Sequence, residues 1–160
     1  MTGQETEKEL SELTDDIFLY FGKGCRNVSK IYLPIGYDLI PLQASFAKYQ
    51  YCINHHKYKN NYEYYKSIYL LSYIPFIDME PILLVESSEI ASPVSVVHYE
   101  YYKSYNHLDH LLKPHLEQIQ CIVCHQDIFF HCIRPGQTQV PGLSEYADGI
   151  DTMEFLLRLK

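Results

Sequence analysis

The sequence has no tryptophan, and its seven glycines do not build a phosphate-binding loop. Gly22 and Gly24 form a close pair, but the third glycine of a dinucleotide-binding fingerprint does not follow them. Basic residues are also few, because 13 lysines and arginines stand against 20 acidic residues and the net charge is -7. Nonspecific nucleic-acid binding requires clustered basic residues that neutralise phosphates, so we expect no nucleic-acid partner.

Long hydrophobic runs are missing as well. The longest ones fall far short of the roughly 20 apolar residues that a membrane-spanning helix needs. The acidic segment 1–7 lacks the apolar centre of a signal peptide. Five cysteines, an odd number without a secretion signal, predict free thiols in a reducing compartment. We therefore expect a cytoplasmic protein with no membrane span.

The residues that are present predict one α/β domain over residues 1–160. Hydrophobic residues make up 47% of the chain, which is long enough to bury a continuous core. Helical and strand patterns are mixed along the sequence, without repeats or an internal linker. Helices are predicted over residues 7–21, 41–53, from 60 or 61 to 72, 104–112 and from 151 onward. Strands are predicted over residues 28–33, 81–85, 94–99, 119–123 and 128–132.

A helix end and a pair of glycines surround the first cysteine. Thr6 and Glu9 have capping-box spacing and predict the start of the first helix. Gly22 and Gly24 can adopt the left-handed conformation that ends a helix. Cys25 is therefore predicted to lie just beyond a helix end, in a glycine-bounded loop.

Cys25 is the candidate nucleophile of the chain. A thiolate is a strong nucleophile, and the neighbouring Arg26 could stabilise it. The backbone amide of Cys25 could donate a hydrogen bond to an oxyanion. The alternative is that Cys25 is a small buried hydrophobic residue, and spacing alone does not decide between the two.

A second group of thiols and imidazoles lies near the C-terminus. Residues 121–125, Cys-Ile-Val-Cys-His, have the spacing of covalent haem attachment, a reaction that requires export. A zinc site is the other possibility, with Cys121, Cys124, His131 and Cys132 as ligands. Strand alternation would place Cys121 and Cys124 on opposite faces, which argues against zinc, and we expect no metal.

Residues 16–32, which contain Cys25, resemble the nucleophile region of the acyl-CoA reductases. This branch of the aldehyde dehydrogenase superfamily includes the reductase subunit of bacterial luminescence. Residues 89–96 look like the superfamily's Glu-Ile-Phe-Gly-Pro-Val segment, with Ala91-Ser92 in place of Phe-Gly. Residues 54–62 and 146–153 are also similar to parts of the reductase branch, and all four segments keep the family order.

The resemblance implies a fold and a reaction. The fold would be an aldehyde dehydrogenase-like catalytic domain, an open and mostly parallel sheet flanked by helices. Cys25 would take the acyl group of a long-chain fatty acyl-CoA as a thioester, and NADPH or NADH would reduce it to the aldehyde. Glu89 would hydrogen-bond the ribose of the cofactor, and Arg26 and Asn27 would bind the substrate.

Complete members of that family carry a dinucleotide-binding domain ahead of the nucleophile. Only about twenty residues precede Cys25, so the resemblance implies the catalytic half alone. One alternative is a non-catalytic remnant or assembly module, whose former domain interface binds a protein partner or a second copy. The other alternative is the zinc-binding module.

Overall fold

The computed structural model describes residues 1–125, 132–143 and 145–159, and it contains a four-stranded sheet flanked by helices. The strands lie in the order β1-β4-β3-β2, and β1 and β3 both run parallel to β4. The edge strand β2 runs antiparallel to β3. The strands are β1 Lys30–Pro34, β2 Phe76–Asp78, β3 Leu83–Glu86 and β4 Val96–Tyr102. The predicted α/β class and mostly parallel sheet are confirmed, whereas the aldehyde dehydrogenase-like fold stays a prediction.

Burial explains why these segments form strands. In β1, Ile31 and Leu33 are buried and alternate with half-buried neighbours, as expected of a strand whose two faces differ. In β3, residues 83–85 are all buried, which is typical of an inner strand covered on both faces.

The described residues form five α-helices, and their capping signals are mostly those read from the sequence. Thr6 and Glu9 form the predicted capping box, Ser104 accepts a hydrogen bond from the backbone N–H of His107, and Asp151 accepts one from Glu154. The helices are α1 Glu7–Phe18, α2 Ile40–Phe46, α3 His56–Leu71, α4 Tyr105–Leu112 and α5 Thr152–Arg158. Short 3₁₀ segments follow three of them, at Leu19–Gly22, Ala47–Asn54 and Lys113–Gln118, and another lies near the C-terminus at Ala147–Gly149.

The predicted start of the third helix at Asn60 or Asn61 is wrong. α3 begins at His56, and its first buried side chains are Tyr58 and Tyr62, one helical turn apart. The inner face therefore starts before the asparagines. The second helix is also shorter than predicted, because the chain changes to 3₁₀ geometry at Ala47.

Each predicted strand overlaps a strand of the structure, but the bounds differ. The edge strand β2 was missed, and β4 runs to Tyr102 rather than ending at Tyr99. Two short parallel strands, β5 Ile122–Val123 and β6 Cys132–Ile133, form a separate sheet. β5 lies within the predicted strand 119–123, whereas β6 shares only Cys132 with the predicted strand 128–132, whose residues 128–131 lie outside the described part of the chain.

The main core lies between the sheet and the α1–α2 pair. Phe18 at the end of α1 packs edge-on to Phe46, with ring centroids 5.4 Å apart, and stacks on Tyr49 at 5.0 Å. This packing fixes the end of α1, from which the Cys25 loop departs. In the part of the chain that is described, no helix combines the length and the apolar character needed to span a bilayer.

Candidate functional site

The Cys25 loop leaves α1 through a sharp reversal of the chain. Tyr20 and Phe21 have φ values of 56° and 60°, and Gly22 follows at 68°. The left-handed conformation is costly for two consecutive non-glycine residues, so the surrounding structure must hold it. The reversal presents Cys25 as an exposed free thiol ahead of β1. The predicted left-handed conformation is confirmed at Gly22 and is wrong for Gly24.

Asn27 connects this loop to the end of α1 through hydrogen bonds. Its Oδ1 atom accepts a hydrogen bond from the backbone N–H of Gly24 at 2.7 Å. Its Nδ2 atom donates to the carbonyl oxygens of Asp16 and Leu19 at 2.8 and 3.1 Å. A Cβ atom placed on Gly24 would lie 2.8 Å from Oδ1, so a side chain at this position would displace the Asn27 amide. The predicted substrate contact of Asn27 is not tested by these bonds and stays a prediction.

Arg26 is directed toward the C-terminal segment. Its side chain is only 11% exposed, and its Nη2 atom lies 2.8 Å from Oε2 of Glu145. Its Nε atom donates to the carbonyl oxygen of Thr138. The guanidinium therefore connects the Cys25 loop to Thr138 and Glu145. The predicted role of Arg26 in substrate binding stays a prediction.

A buried carboxylate, Asp16, joins α1 to the turn at residues 134–138. Its carboxylate accepts hydrogen bonds from the backbone N–H groups of Gly136 and Thr138, at 2.7 and 3.1 Å, and from Oγ1 of Thr138 at 2.7 Å. Burial raises the pKa of Asp16, and these three hydrogen bonds oppose that shift. Asp16 was not among the site residues predicted from the sequence. A carboxylate on the same helix face as Leu13 and Ile17 was the signal that could have revealed it.

Two of the four segments that carry the family resemblance, residues 16–32 and 89–96, lie side by side. Oγ of Ser29 donates to the carbonyl oxygen of Ile90 at 3.0 Å, and Nζ of Lys30 donates to the carbonyl oxygen of Ser88 at 2.9 Å. These bonds hold residues 88–90 against the start of β1. The side chain of Glu89 is exposed, and its predicted contact with a cofactor stays a prediction.

An apolar cavity of about 310 Å³ opens beside the thiol. We call it the apolar cavity, and its lining includes Cys25, Val28, Ala91, Leu108, Leu112 and Ile119. A smaller cavity of about 160 Å³, between Cys25 and residues 92–97, lies next to the same loop. Cys25 therefore has access to two cavities.

The apolar cavity also has a polar side, formed by residues of β1. Nζ of Lys30 lies 2.7 Å from Oε2 of Glu100 and 4.9 Å from the ring centre of Tyr32. The hydroxyl of Tyr32 is buried and has no partner in the described residues. Burial, with a further contribution from the charge of Glu100, raises the pKa of Tyr32 to about 12. This hydroxyl is therefore neutral at physiological pH.

His98 lies beside Lys30 in the sheet, and its protonation is predicted to make the stability of the fold depend on pH. Burial lowers the pKa of His98, although its hydrogen bond with the carbonyl oxygen of Glu89 opposes this. The unfolded chain therefore takes up a proton first as the pH falls below about 6.5. The stability contributed by the neutral imidazole is full above that pH and is lost below it. We expect His98→Asn to reduce the loss of stability between about pH 7 and about pH 5, measured by urea unfolding.

The exposed His56 provides the control for that measurement. The His56→Asn variant should keep the pH dependence of the unmodified protein. A His98→Asn variant whose stability falls as steeply with acid as the unmodified protein would contradict the assignment.

The proposed zinc ligands do not form a site in the described residues. Cys124 and Cys132 are joined in a disulfide that connects β5 to β6, with Cα atoms 5.8 Å apart. The prediction of free thiols is therefore wrong for this pair and correct for Cys25, Cys52 and Cys121. His131 lies outside the described residues, and within them no group of three or more candidate ligands is placed to hold a metal ion.

Gln139 is a further site residue that sequence analysis missed. A Cβ atom on Gly24 would lie 3.5 Å from Nε2 and 3.6 Å from Oε1 of Gln139, so its amide covers the glycine next to Cys25. No local pattern indicates this contact, because more than a hundred residues separate the two positions.

Comparison of the chain with known protein families, with curated proteins and with solved structures finds no match. The acyl-CoA reductase resemblance therefore stays a prediction made from the sequence segments.

Proposed function

We propose that Cys25 accepts the acyl group of a thioester and that the apolar cavity holds the acyl chain. The observation that carries this proposal is the exposed free thiol next to a cavity whose surface is mostly apolar. A thiol is suited to acyl exchange with a thioester because the two sulfur leaving groups are chemically alike. A fatty acyl-CoA is the substrate class that agrees with this lining.

The reaction balances without an oxidant or reductant. The Cys25 thiol loses its proton to solvent, and the thiolate Sγ attacks the carbonyl carbon of the acyl-CoA. The carbonyl oxygen carries the negative charge in the tetrahedral intermediate. The intermediate collapses by breaking the bond to the CoA sulfur, and the departing thiolate takes up a proton. The products are an acyl thioester on Cys25 and free CoA.

Two residues that follow Cys25 fix the position of its loop. Asn27 and Arg26 are bonded to the backbone of α1 and to the C-terminal segment, so the loop is fixed before a substrate arrives. A preformed nucleophile loop lowers the entropy lost on reaching the attacking geometry. The cavity volume is near the lower end of the roughly 300–1,000 Å³ that is typical of small-molecule sites.

The resemblance extends the proposal to a second step. NADPH or NADH would deliver hydride to the Cys25 thioester and release the aldehyde, with Glu89 contacting the cofactor. This chain would then be the catalytic half of an acyl-CoA reductase. The hydride step rests on the resemblance alone, whereas acylation rests on the site.

The proposal is tested by labelling the protein with a fluorescent long-chain acyl thioester. We expect Cys25→Ala to abolish labelling because the nucleophile is gone. Cys121→Ser removes a second, half-buried free thiol and should leave labelling in place. The readout is fluorescence of the denatured protein, since only a covalent adduct survives denaturation.

Equal labelling of Cys25→Ala and the unmodified protein would remove acyl transfer from consideration. The assembly module would then be the better proposal. Several apolar side chains of the C-terminal segment are more than half exposed and could contact a protein partner or a second copy, namely Met153, Phe155, Leu156, Leu157 and Leu159.

A further inference from the structure

Two free thiols lie in the wall of the apolar cavity. Cys25 is exposed and Cys121 is half-buried, and the cavity lining contains both of them. The Sγ atom of Cys121 donates a weak hydrogen bond to the carbonyl oxygen of Arg26, the residue that follows Cys25, at 3.8 Å. The remaining free thiol, Cys52, is buried in the main core and does not line this cavity. The fold therefore brings together two thiols that are far apart in the sequence.

The two thiols differ in their environment. Burial raises the pKa of the Cys121 thiol. The charge of Arg26 opposes this shift, whereas the negative charge of a Cys25 thiolate adds to it. Cys121 is therefore protonated at neutral pH, and a reagent dissolved in water reaches the exposed Cys25 first.

We propose that Cys25 and Cys121 form a reducible dithiol pair, in which Cys25 attacks a small-molecule disulfide such as oxidised glutathione and Cys121 resolves the product. This activity goes beyond acyl transfer and does not depend on it. Both reactions begin at the same exposed thiol, but thiol–disulfide exchange needs a second thiol, for which acylation has no use.

The exchange balances in two steps. The thiolate Sγ of Cys25 attacks one sulfur of oxidised glutathione, breaks its S–S bond and releases one glutathione thiolate, which takes up a proton. Cys121 then loses its proton to solvent, and its Sγ attacks the Sγ of Cys25 in the mixed disulfide and releases the second glutathione. Two protein thiols are oxidised to one disulfide, and one molecule of oxidised glutathione is reduced to two of glutathione.

The surroundings of Cys121 favour the second step. A disulfide needs Cβ atoms about 4 Å apart. The contact with Arg26 already places Cys121 against the backbone of the nucleophile loop, and the exposed Cys25 side chain can change its rotamer. Cys121 immediately precedes β5, which the disulfide between Cys124 and Cys132 joins to β6. The resolving thiol is therefore held in place while the exposed one turns toward it.

The experiment incubates the intact chain with oxidised glutathione and blocks the remaining thiols with N-ethylmaleimide in acid. The peptides are then mapped by mass spectrometry without reduction. We expect the unmodified protein to form a disulfide between Cys25 and Cys121 and to lose the glutathione as it forms. Cys52 should stay a free thiol, and the disulfide between Cys124 and Cys132 should stay intact.

The matched variant is Cys121→Ser, which keeps the size of the side chain and removes the resolving sulfur. This variant should retain one glutathione on Cys25, because the second step is lost. The Cys25→Ser variant should leave Cys121 without glutathione, since the half-buried thiol reacts only after Cys25 has done so.

Three results would overturn the inference. A disulfide from Cys25 to Cys124 or Cys132 would show that the existing disulfide, rather than Cys121, resolves the adduct. Equal amounts of glutathione on Cys25 in the Cys121→Ser variant and in the unmodified protein would show that no second thiol takes part. A Cys25 thiol that never reacts with oxidised glutathione would remove the first step. The first two results leave the proposed acylation of Cys25 as it stands.

Discussion

Replacing Asp16 with alanine is expected to lower the free energy of unfolding by about 3 kcal/mol, since breaking a buried polar network costs about that much. The variant leaves the backbone donors of Gly136 and Thr138 without their acceptor, and Thr138 is fully buried. The turn at residues 134–138 should then separate from α1. Because Arg26 donates to the carbonyl oxygen of Thr138, the Cys25 loop should loosen with it. Urea unfolding measures the first effect, and the alkylation rate of Cys25 measures the second.

The control for this prediction is an exposed carboxylate. Asp109 in α4 pairs at 2.6 Å with Lys113, the first residue of the 3₁₀ segment that follows, and both side chains are exposed. Asp109→Ala should therefore cost less than about 1 kcal/mol. Equal losses of stability in the two variants would show that Asp16 does not connect α1 to the turn.

Replacing Ala91 with tryptophan is expected to slow acylation by long-chain acyl-CoA by at least about tenfold, because filling an apolar pocket changes rates on this scale. Ala91 is exposed and lines the apolar cavity, so the added ring can occupy the space of the acyl chain without entering the core. Acetyl-CoA needs little of that space and should acylate the variant as it does the unmodified protein. The measurement is the ratio of the two acylation rates.

The exposed Ala47, outside the apolar cavity, gives the matched control. Ala47→Trp adds the same ring and should leave the ratio unchanged. If Ala91→Trp slows both acyl donors equally, or slows neither, the apolar cavity does not bind the acyl chain.

Local features could be read from the sequence, and they were mostly correct. The capping residues Thr6, Glu9, Ser104 and Asp151 act through hydrogen bonds to residues three positions away, so short spacing reveals them. The strands next to the site were predicted from runs of β-branched and aromatic residues. The edge strand β2 has only three residues and no alternating pattern, which explains why it was missed.

Long-range contacts could not be read in the same way. Asp16 meets Thr138 across 122 positions, and Arg26 meets Glu145 across 119. Neither pairing leaves a periodic or compositional trace. Arg26 is adjacent to Cys25 in the sequence, yet its guanidinium is bound to the C-terminal segment. The position of Arg26 next to Cys25 in the sequence suggested that its charge stabilises the thiolate. The folded chain shows the partners that the guanidinium contacts.

The most direct test of the account is to locate the acyl group. The protein is incubated with palmitoyl-CoA and digested, and its peptides are analysed by mass spectrometry. We predict one acyl group per chain, on the peptide that contains Cys25, with Cys52 and Cys121 unmodified. An adduct spread over the three free thiols, an adduct at Cys121 alone, or no adduct would contradict the claim that Cys25 is the acyl acceptor.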